Sequence, residues 1–324
     1  MITAAILAAA VVTALSPIVV AVLGRRGVVD VPGSRTLHEI PTPRGGGLAV
    51  APAITVAALL TIDLSAPIVG ILGGALALAL VGLVDDLAGL PALPRLGFQI
   101  AASLAVALIV SEGEVPWPLL AIPAGAFTCV FYVNAFNFMD GINGISVAQT
   151  VVAGVHLALV GRSIGVDEIT VVGLAATGSA LAFAPWNAPQ ARMFLGDVGS
   201  YFLGFLLSAT ALAAVIAGAP VLLVVAPFTL YLLDTATTLI LRISQGARIT
   251  EAHREHAFQR LARSGRSHTN VSSVVLLACA LSSAAVLISD GSGPAIETLA
   301  GLAAWIPAIG FVHAGHRAKV GADA

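Results

Sequence analysis

Four short stretches rich in Asp, Asn and Gly, and one basic stretch, hold the residues of this chain best able to do chemistry. Asp85 and Asp86 stand side by side where an apolar segment ends. Adjacent carboxylates favour a divalent cation or a raised pKa on one of them. Acids at a helix C-terminus also oppose the helix macrodipole, so a simple solvated pair carries a small penalty. In the stretch from Asn134 to Gly144 (NAFNFMDGING), Asn134, Asn137 and Asp140 recur every third residue, which on a helical extension aligns them on one face. Asn143 would continue that row if Gly141 did not break the helix. The amides offer donors and acceptors to a nucleotide or phosphate, and Asp140 a carboxylate to a metal or proton. An ordinary Asn/Gly turn is the competing reading.

Asp197 lies between Gly196 and Gly199 at the mouth of another apolar segment, where backbone can close around an ion that the carboxylate ligates; a helix N-cap is the alternative, and the two are compatible. Asn187 and Arg192, just before it, are candidates for phosphate or base contacts. Earlier, Arg44 precedes Gly45-Gly46-Gly47, whose backbone amides can approach an anion closely, although a Pro/Gly turn entering a helix explains the same run. His38 is either a phosphate contact or a surface residue. The basic stretch runs from Arg242 to His268. Thr250 is predicted to cap a helix over about 251–263, with His253 and His256 sharing a face. Two His without a thiolate or third His do not favour zinc, whereas phosphate recognition by His253, His256, Arg254 and Arg260 fits. Attraction of a basic helix to anionic lipid competes with that reading, but does not explain the paired His. Asp234 lies inside an apolar segment, where an acid implies function or a partner such as Arg242.

The elements that must position these residues are hydrophobic. Of 324 residues, 58% are hydrophobic and 10% charged, and the mean hydropathy is +0.99. An ordinary soluble chain carries about a quarter charged residues. We therefore expect an all-α polytopic membrane protein forming one integral domain over 1–324. Eleven spans are predicted, at about 3–23, 46–62, 67–84, 96–110, 118–133, 145–160, 169–184, 200–216, 220–241, 270–288 and 295–312. The first has no positive charge ahead of it and Arg25-Arg26 behind it, so it reads as a retained span rather than a cleaved leader. Cys129 and Cys279 lie inside apolar runs and read as small buried hydrophobes. Of the 15 Lys and Arg residues, only Arg162 falls on one side of this arrangement. That asymmetry places the N-terminus outside, the C-terminus in the cytoplasm, and loops 24–45, 85–95, 134–144, 185–199 and 242–269 on the cytoplasmic side. Every candidate residue except Asp234 then lies in a cytoplasmic loop or at its edge, and Asp234 sits within about two turns of one.

Taken in order, Asp85-Asp86 after a span, the Asn134–Gly144 pattern, Phe194 to Ser200 (FLGDVGS) and the His-bearing fifth loop resemble the polyprenyl-phosphate N-acetylhexosamine-1-phosphate transferases, the MraY/WecA superfamily of glycosyltransferase family 4. The resemblance covers residues 32 to about 265. It implies transfer of a sugar-1-phosphate from a UDP-N-acetylhexosamine to a polyprenyl (undecaprenyl) phosphate in the bacterial inner membrane, with Mg²⁺ as cofactor and Mn²⁺ as a substitute. It further implies Asp197 as the metal ligand with Asp85 beside it. Asp85 or Asp86 would deprotonate the lipid phosphate, a covalent aspartyl-phosphate being the less favoured route. Asn137 and Asp140 would position nucleotide and phosphate, with His253, Arg254 and His256 on the diphosphate or sugar.

The adjacent-His run and the first-loop Lys of MraY-type members are absent, as is the His-x-His-His run of WecA-type members; Glu39-Ile40 and His253-Arg-Glu-His256 stand instead. The chain looks closer to the O-antigen-type subgroup, which handles N-acetylfucosamine or N-acetylquinovosamine, with N-acetylglucosamine also open. No nucleic-acid partner is expected, and a homodimer is open. The alternatives are an MraY-type phospho-MurNAc-pentapeptide transferase, a membrane transporter with a cytoplasmic-side ion or anion site, which should keep its polar residues near mid-membrane and show repeats, and a CDP-alcohol phosphotransferase, which should concentrate its acids in one motif.

Overall fold

The computed structural model describes residues 1–32, 40–111, 115–247 and 253–318. Uninterrupted apolar sequence becomes helix because a chain in lipid must satisfy its own backbone hydrogen bonds. The helices are α1 (Ile2–Arg26), α2 (Gly47–Thr61), α3 (Ala66–Ala88), α4 (Ala92–Val110), α5 (Pro118–Met139), α6 (Ile145–Ser163), α7 (Asp167–Asn187) and α8 (Gly196–Ile216). There follow α9 (Val221–Val225), a 3₁₀ turn at Ala226–Phe228, α10 (Thr229–Ser244), α11 (Ala257–Arg263), α12 (His268–Ser289), α13 (Pro294–Ala303) and α14 (Ile306–Arg317). Ends are marked by local chemistry: Ser65 and Ser267 accept N–H groups of the first turns of α3 and α12, and Gly27 closes α1 at φ 69°.

Each of the eleven predicted spans corresponds to a helical segment. Among the described residues, ten are long and apolar enough to cross a membrane; the remaining one, α2, has 15 residues. Two spans are broken. The ninth divides at Pro227, which cannot donate to the helix, and the eleventh divides between α13 and α14 near Ala304. Among the described residues, one small departure from an all-α chain occurs: β1 (Val29–Asp30) pairs antiparallel with β2 (Thr42–Pro43).

α8 is the hub. It packs against α2, α3, α4, α5, α6 and α7, burying Tyr201, Phe202 and Phe205. Peripheral helices do the reverse. α4 exposes Phe98, Leu104 and Leu108, the apolar exterior that lipid requires. The functional stretches follow α3, α5 and α7 or open α8, so their positions are set by helices packed directly on this hub.

Candidate functional site

α3 continues past the predicted span, so Asp85 and Asp86 occupy its last turn rather than a loop. Their carboxylates point to different partners. Asp86, with 1% of its side chain exposed, accepts the backbone N–H groups of Asp197 at Oδ1 and Val198 at Oδ2, each at 3.0 Å. Asp86 thus caps α8, whose own N-cap residue Leu195 supplies no side-chain bond. The cap foreseen for Asp197 comes from another helix. The charge that opposes α3's dipole is complemented by α8's N-terminus. Close approach makes this feasible: a Cβ at Gly82 would strike the Asp197 carbonyl, and one at Gly47 would strike Gly199.

Arg44 joins the same pair, with Nε 2.7 Å from Asp86 Oδ1 and Nη2 2.7 Å from Asp197 Oδ1. It follows β2, and its N–H donates to Val28 while the Phe194 N–H donates to Pro43, so the first and fourth loops are sewn together. Burial alone would lower the Arg44 pKa, but Asp197 and Asp86 outweigh it and hold the guanidinium above its usual value. The three glycines do not form the expected anion nest. The N–H groups of Gly45 and Gly46 donate to Phe194 O, and that of Gly47 to Leu195 O. The run serves close packing instead.

Asn134 and Asn137 lie on α5, which ends at Met139 with Asp140 as its C-cap. The predicted row diverges in its contacts. Asn137 Nδ2 donates to Asp197 Oδ1 at 2.8 Å and Ser200 Oγ at 2.9 Å. Asn134 donates to the buried Gln99 at 2.7 Å, away from the acids. Asp140 accepts the Ser146 hydroxyl at 2.5 Å. Crowding by protein around its carboxyl, with Asp197 and Asp86 nearby, pushes its pKa up to about 7 against the opposing Ser146 bond and Arg44 charge.

Asn143 and Asn187 join loops. Asn187, 4% exposed, accepts Gly144 N–H at 2.7 Å and donates to Met193 O at 3.3 Å; Asn143 donates to Pro189 O at 3.0 Å. Both amide ends of Asn187 are thus engaged with backbone, a positioning task rather than the expected substrate contact.

Asp85 is pinned by three donors: Leu90 N–H at Oδ1 (2.7 Å), and Arg95 Nη1 (2.8 Å) and the Tyr201 hydroxyl (2.9 Å) at Oδ2. Arg95, Tyr201, Asn134 and Asn137 line a cavity of about 500 Å³ beside the acids, together with His253, His256 and Gln259. Its remaining walls are apolar, from Leu96, Phe127, Val130, Phe131, Phe138 and Leu239 among others.

The His pair does not share a helical face. Residues 253–256 precede α11, and His256 is its N-cap, yet the two rings stack with centroids 5.1 Å apart. The start foreseen at Thr250 and Glu251, like His38, lies outside the described residues. Asp234 explains the arrangement. Fully buried on α10, it accepts Ala257 N–H at 2.9 Å and Phe258 N–H at 3.4 Å, and lies 3.4 Å from His256 Nδ1. Arg242, its expected partner, pairs with Glu255 at 3.0 Å instead. Burial, then the neighbouring His256 and Arg242, lowers the His253 pKa to about 4, so that ring is neutral near pH 7. Arg254, beside Arg263, is not part of the cavity wall.

Among the described residues, no three or more His, Cys, Asp or Glu side chains converge as a metal site. Asp197 Oδ2 has no hydrogen-bond partner there, whereas both oxygens of Asp85 and of Asp86 are occupied. One free carboxylate oxygen suits a cation of the Mg²⁺ type, which takes one or two carboxylates and fills its shell with water and phosphate; it does not suit zinc. Asp85 could ligate only through Oδ1, which already accepts the Leu90 N–H, because Arg95 and Tyr201 hold Oδ2.

Sequence reading missed Arg95, Tyr201, Gln99 and Ser146. Arg95 had a signal: a cation in the first turn of an apolar helix needs a counter-charge, and Asp85 is ten residues away.

The profile of glycosyl transferase family 4 matches residues 68–215, which contain the Asp85–Asp86 pair, Asn137, Asp140 and Asp197. A decaprenyl-phosphate N-acetylglucosaminephosphotransferase of Mycobacterium tuberculosis is 30% identical over 322 residues, covering 84% of this chain and 78% of the relative. A probable undecaprenyl-phosphate N-acetylglucosaminyl 1-phosphate transferase of Bacillus subtilis is 29% identical over 273 residues, covering 78% and 75%. A phospho-N-acetylmuramoyl-pentapeptide-transferase of Clostridium perfringens is 33% identical over 168 residues, half of each chain.

Proposed function

The chain belongs to glycosyl transferase family 4, and from that premise we propose that it transfers N-acetylhexosamine-1-phosphate from a UDP-sugar to a polyprenyl phosphate at the cytoplasmic face of a bacterial plasma membrane. An oxygen of the acceptor phosphate attacks the phosphorus bonded to the sugar. The bridging oxygen leaves with UMP, and the new phosphoanhydride carries lipid on one side and sugar on the other. One phosphoanhydride is broken and one formed, so the reaction should run readily in both directions.

The observation that carries this reading is the adjacency of two environments. Arg44, Asp86, Asn137 and Asp197 form a charged, hydrogen-bonded knot, and beside it lies a cavity with polar groups and apolar walls. A phosphate-bearing nucleotide and a phosphate-bearing lipid need just such neighbours. Asp197 would hold Mg²⁺, with Mn²⁺ as a substitute, and the bound cation would neutralise charge as two anions meet. Arg44 stays held by Asp86 and can turn its other nitrogen toward phosphate. Asp140 is the group placed to exchange a proton near neutral pH. Asp85 and Asp86, each held by three donors, orient Arg95, Arg44 and α8. His253 offers a neutral ring to a sugar or diphosphate.

N-acetylglucosamine is the favoured sugar. Both relatives aligned over most of this chain carry it in their names, while the muramoyl-pentapeptide relative aligns over half. Those names favour it over N-acetylfucosamine and N-acetylquinovosamine. A transporter is disfavoured because the knot sits at helix ends rather than mid-span. Membranes containing the chain, given polyprenyl phosphate, Mg²⁺ and a panel of radiolabelled UDP-N-acetylhexosamines, should yield labelled lipid and UMP, fastest with N-acetylglucosamine. A different preferred sugar would overturn that choice, and no labelled lipid with any donor would overturn the reaction.

A further inference from the structure

Arg95 is held in an unusual way for a cation on the wall of a half-open cavity. A single nitrogen, Nη1, makes both of its protein contacts, to Asp85 Oδ2 at 2.8 Å and to the Tyr201 hydroxyl at 3.1 Å. The Tyr201 hydroxyl in turn donates to Asp85 Oδ2 at 2.9 Å, closing a three-membered ring of contacts. Guanidinium has five N–H donors in a rigid plane, so fixing one nitrogen from two sides fixes the whole fork. Among the described residues, Nε and Nη2 have no hydrogen-bond partner, and the side chain is 31% exposed where it lines the cavity. Tyr201, 2% exposed, is seated on α8, the hub of the fold.

The surroundings say what those donors face. The cavity walls beside Arg95 include Leu96 from α4, Phe127, Val130 and Phe131 from α5 and Leu239 from α10, and Phe127 is 69% exposed on the outer surface of the bundle. The wall runs on through aliphatic Leu96, Val130 and Leu239 to the bundle's outer surface at Phe127, which suits a phosphate monoester with a long apolar chain, gaining both the charge and the surface.

We propose that Tyr201 is a positioning residue for the lipid acceptor: its hydroxyl, by sharing Arg95 with Asp85, aims the free edge of the guanidinium at the headgroup of a polyprenyl phosphate. This rests on the transferase reading above for its choice of ligand. Tyr201 acts through Arg95 and need not touch the substrate.

The test uses Tyr201→Phe, which removes one oxygen and keeps the ring that packs α8. In the purified full chain, the KM for polyprenyl phosphate should rise about tenfold, the value of one hydrogen bond to a charged group. The KM for the UDP-sugar should stay unchanged. Equal rises in both constants, or a rise only for the UDP-sugar, would overturn the assignment, as would no change in either. A readout without turnover separates this from failure of the transferase reading. Polyprenyl phosphate should raise the thermal midpoint of the wild type more than that of Tyr201→Phe, while UMP should raise both alike. Equal stabilisation of the two proteins by the lipid would refute the role of Tyr201 even if the chain transfers no sugar. Arg95→Lys, which keeps charge without the fork, should show the same lipid-selective loss; if it binds lipid as the wild type does, the aimed guanidinium is wrong.

Discussion

Asp86, Asp234 and Asp140 are three acids at membrane depth or its edge that divide two tasks between them. Asp86 and Asp234 each cap a helix that is not their own, α8 and α11. Asp86→Ala should therefore cost about 1–2 kcal/mol from the lost cap alone, read as a lowered thermal midpoint, with a further loss because Arg44 keeps only Asp197. Asp140 is the titrating one. Its pKa is raised in the folded protein, so the stability it contributes is complete below its ordinary value of 3.8 and is lost as pH rises through about 7. The wild-type midpoint should therefore fall relative to Asp140→Asn between pH 4 and 7; parallel curves would remove Asp140 as a near-neutral proton site. The residue types were legible in the sequence, since an Asp pair or an Asp between glycines at a span end has few other uses. Their partners were not, because Asp86 meets Asp197 across 111 positions through backbone N–H groups that no side-chain pattern records.

At the scale of elements, the eleven apolar runs were readable because lipid-facing helices must be apolar, and each run corresponds to a helical segment. Helix ends were harder. α3, α5 and α8 extend into the stretches read as loops, bringing Asp85, Asn137 and Asp197 into regular turns of adjacent helices. The break in the ninth span is set by Pro227, and the start of α11 at Ala257 by Asp234, a partner on α10 that the periodicity does not record. The approach of α3 to α8 is a strict requirement. Gly82→Ala would push its Cβ into the Asp197 carbonyl and should cost about 1–3 kcal/mol from overpacking while also displacing the Asp86 cap. A mutant with wild-type activity and midpoint would show that α3 and α8 have room there. Asp234→Ala should leave the bundle inserted but loosen α11, raising amide exchange over residues 257–263 and lowering activity. Unchanged exchange would assign α11's stability elsewhere.

Across the whole molecule, the site belongs to no single segment. It draws on the turn before α2, the end of α3, the start of α4, the end of α5, the start of α8 and the chain before α11, all at one end of the bundle. From the lopsided Lys and Arg distribution we propose that this end faces the cytoplasm. Single cysteines at Arg192 and Asp290, in a background with Cys129 and Cys279 replaced, would test this. In intact cells the impermeant thiol reagent should label position 290 and not position 192; the reverse pattern would invert the topology. The most direct test of the shared metal-phosphate site is conversion of radiolabelled UDP-N-acetylglucosamine to labelled lipid by wild type and Asp197→Asn, alongside equal amounts of inserted, folded protein. Wild type should release one UMP per labelled lipid, and only with both Mg²⁺ and polyprenyl phosphate present, while Asp197→Asn should give none. Wild-type turnover by Asp197→Asn would contradict the assignment of Asp197 to the centre of the reaction.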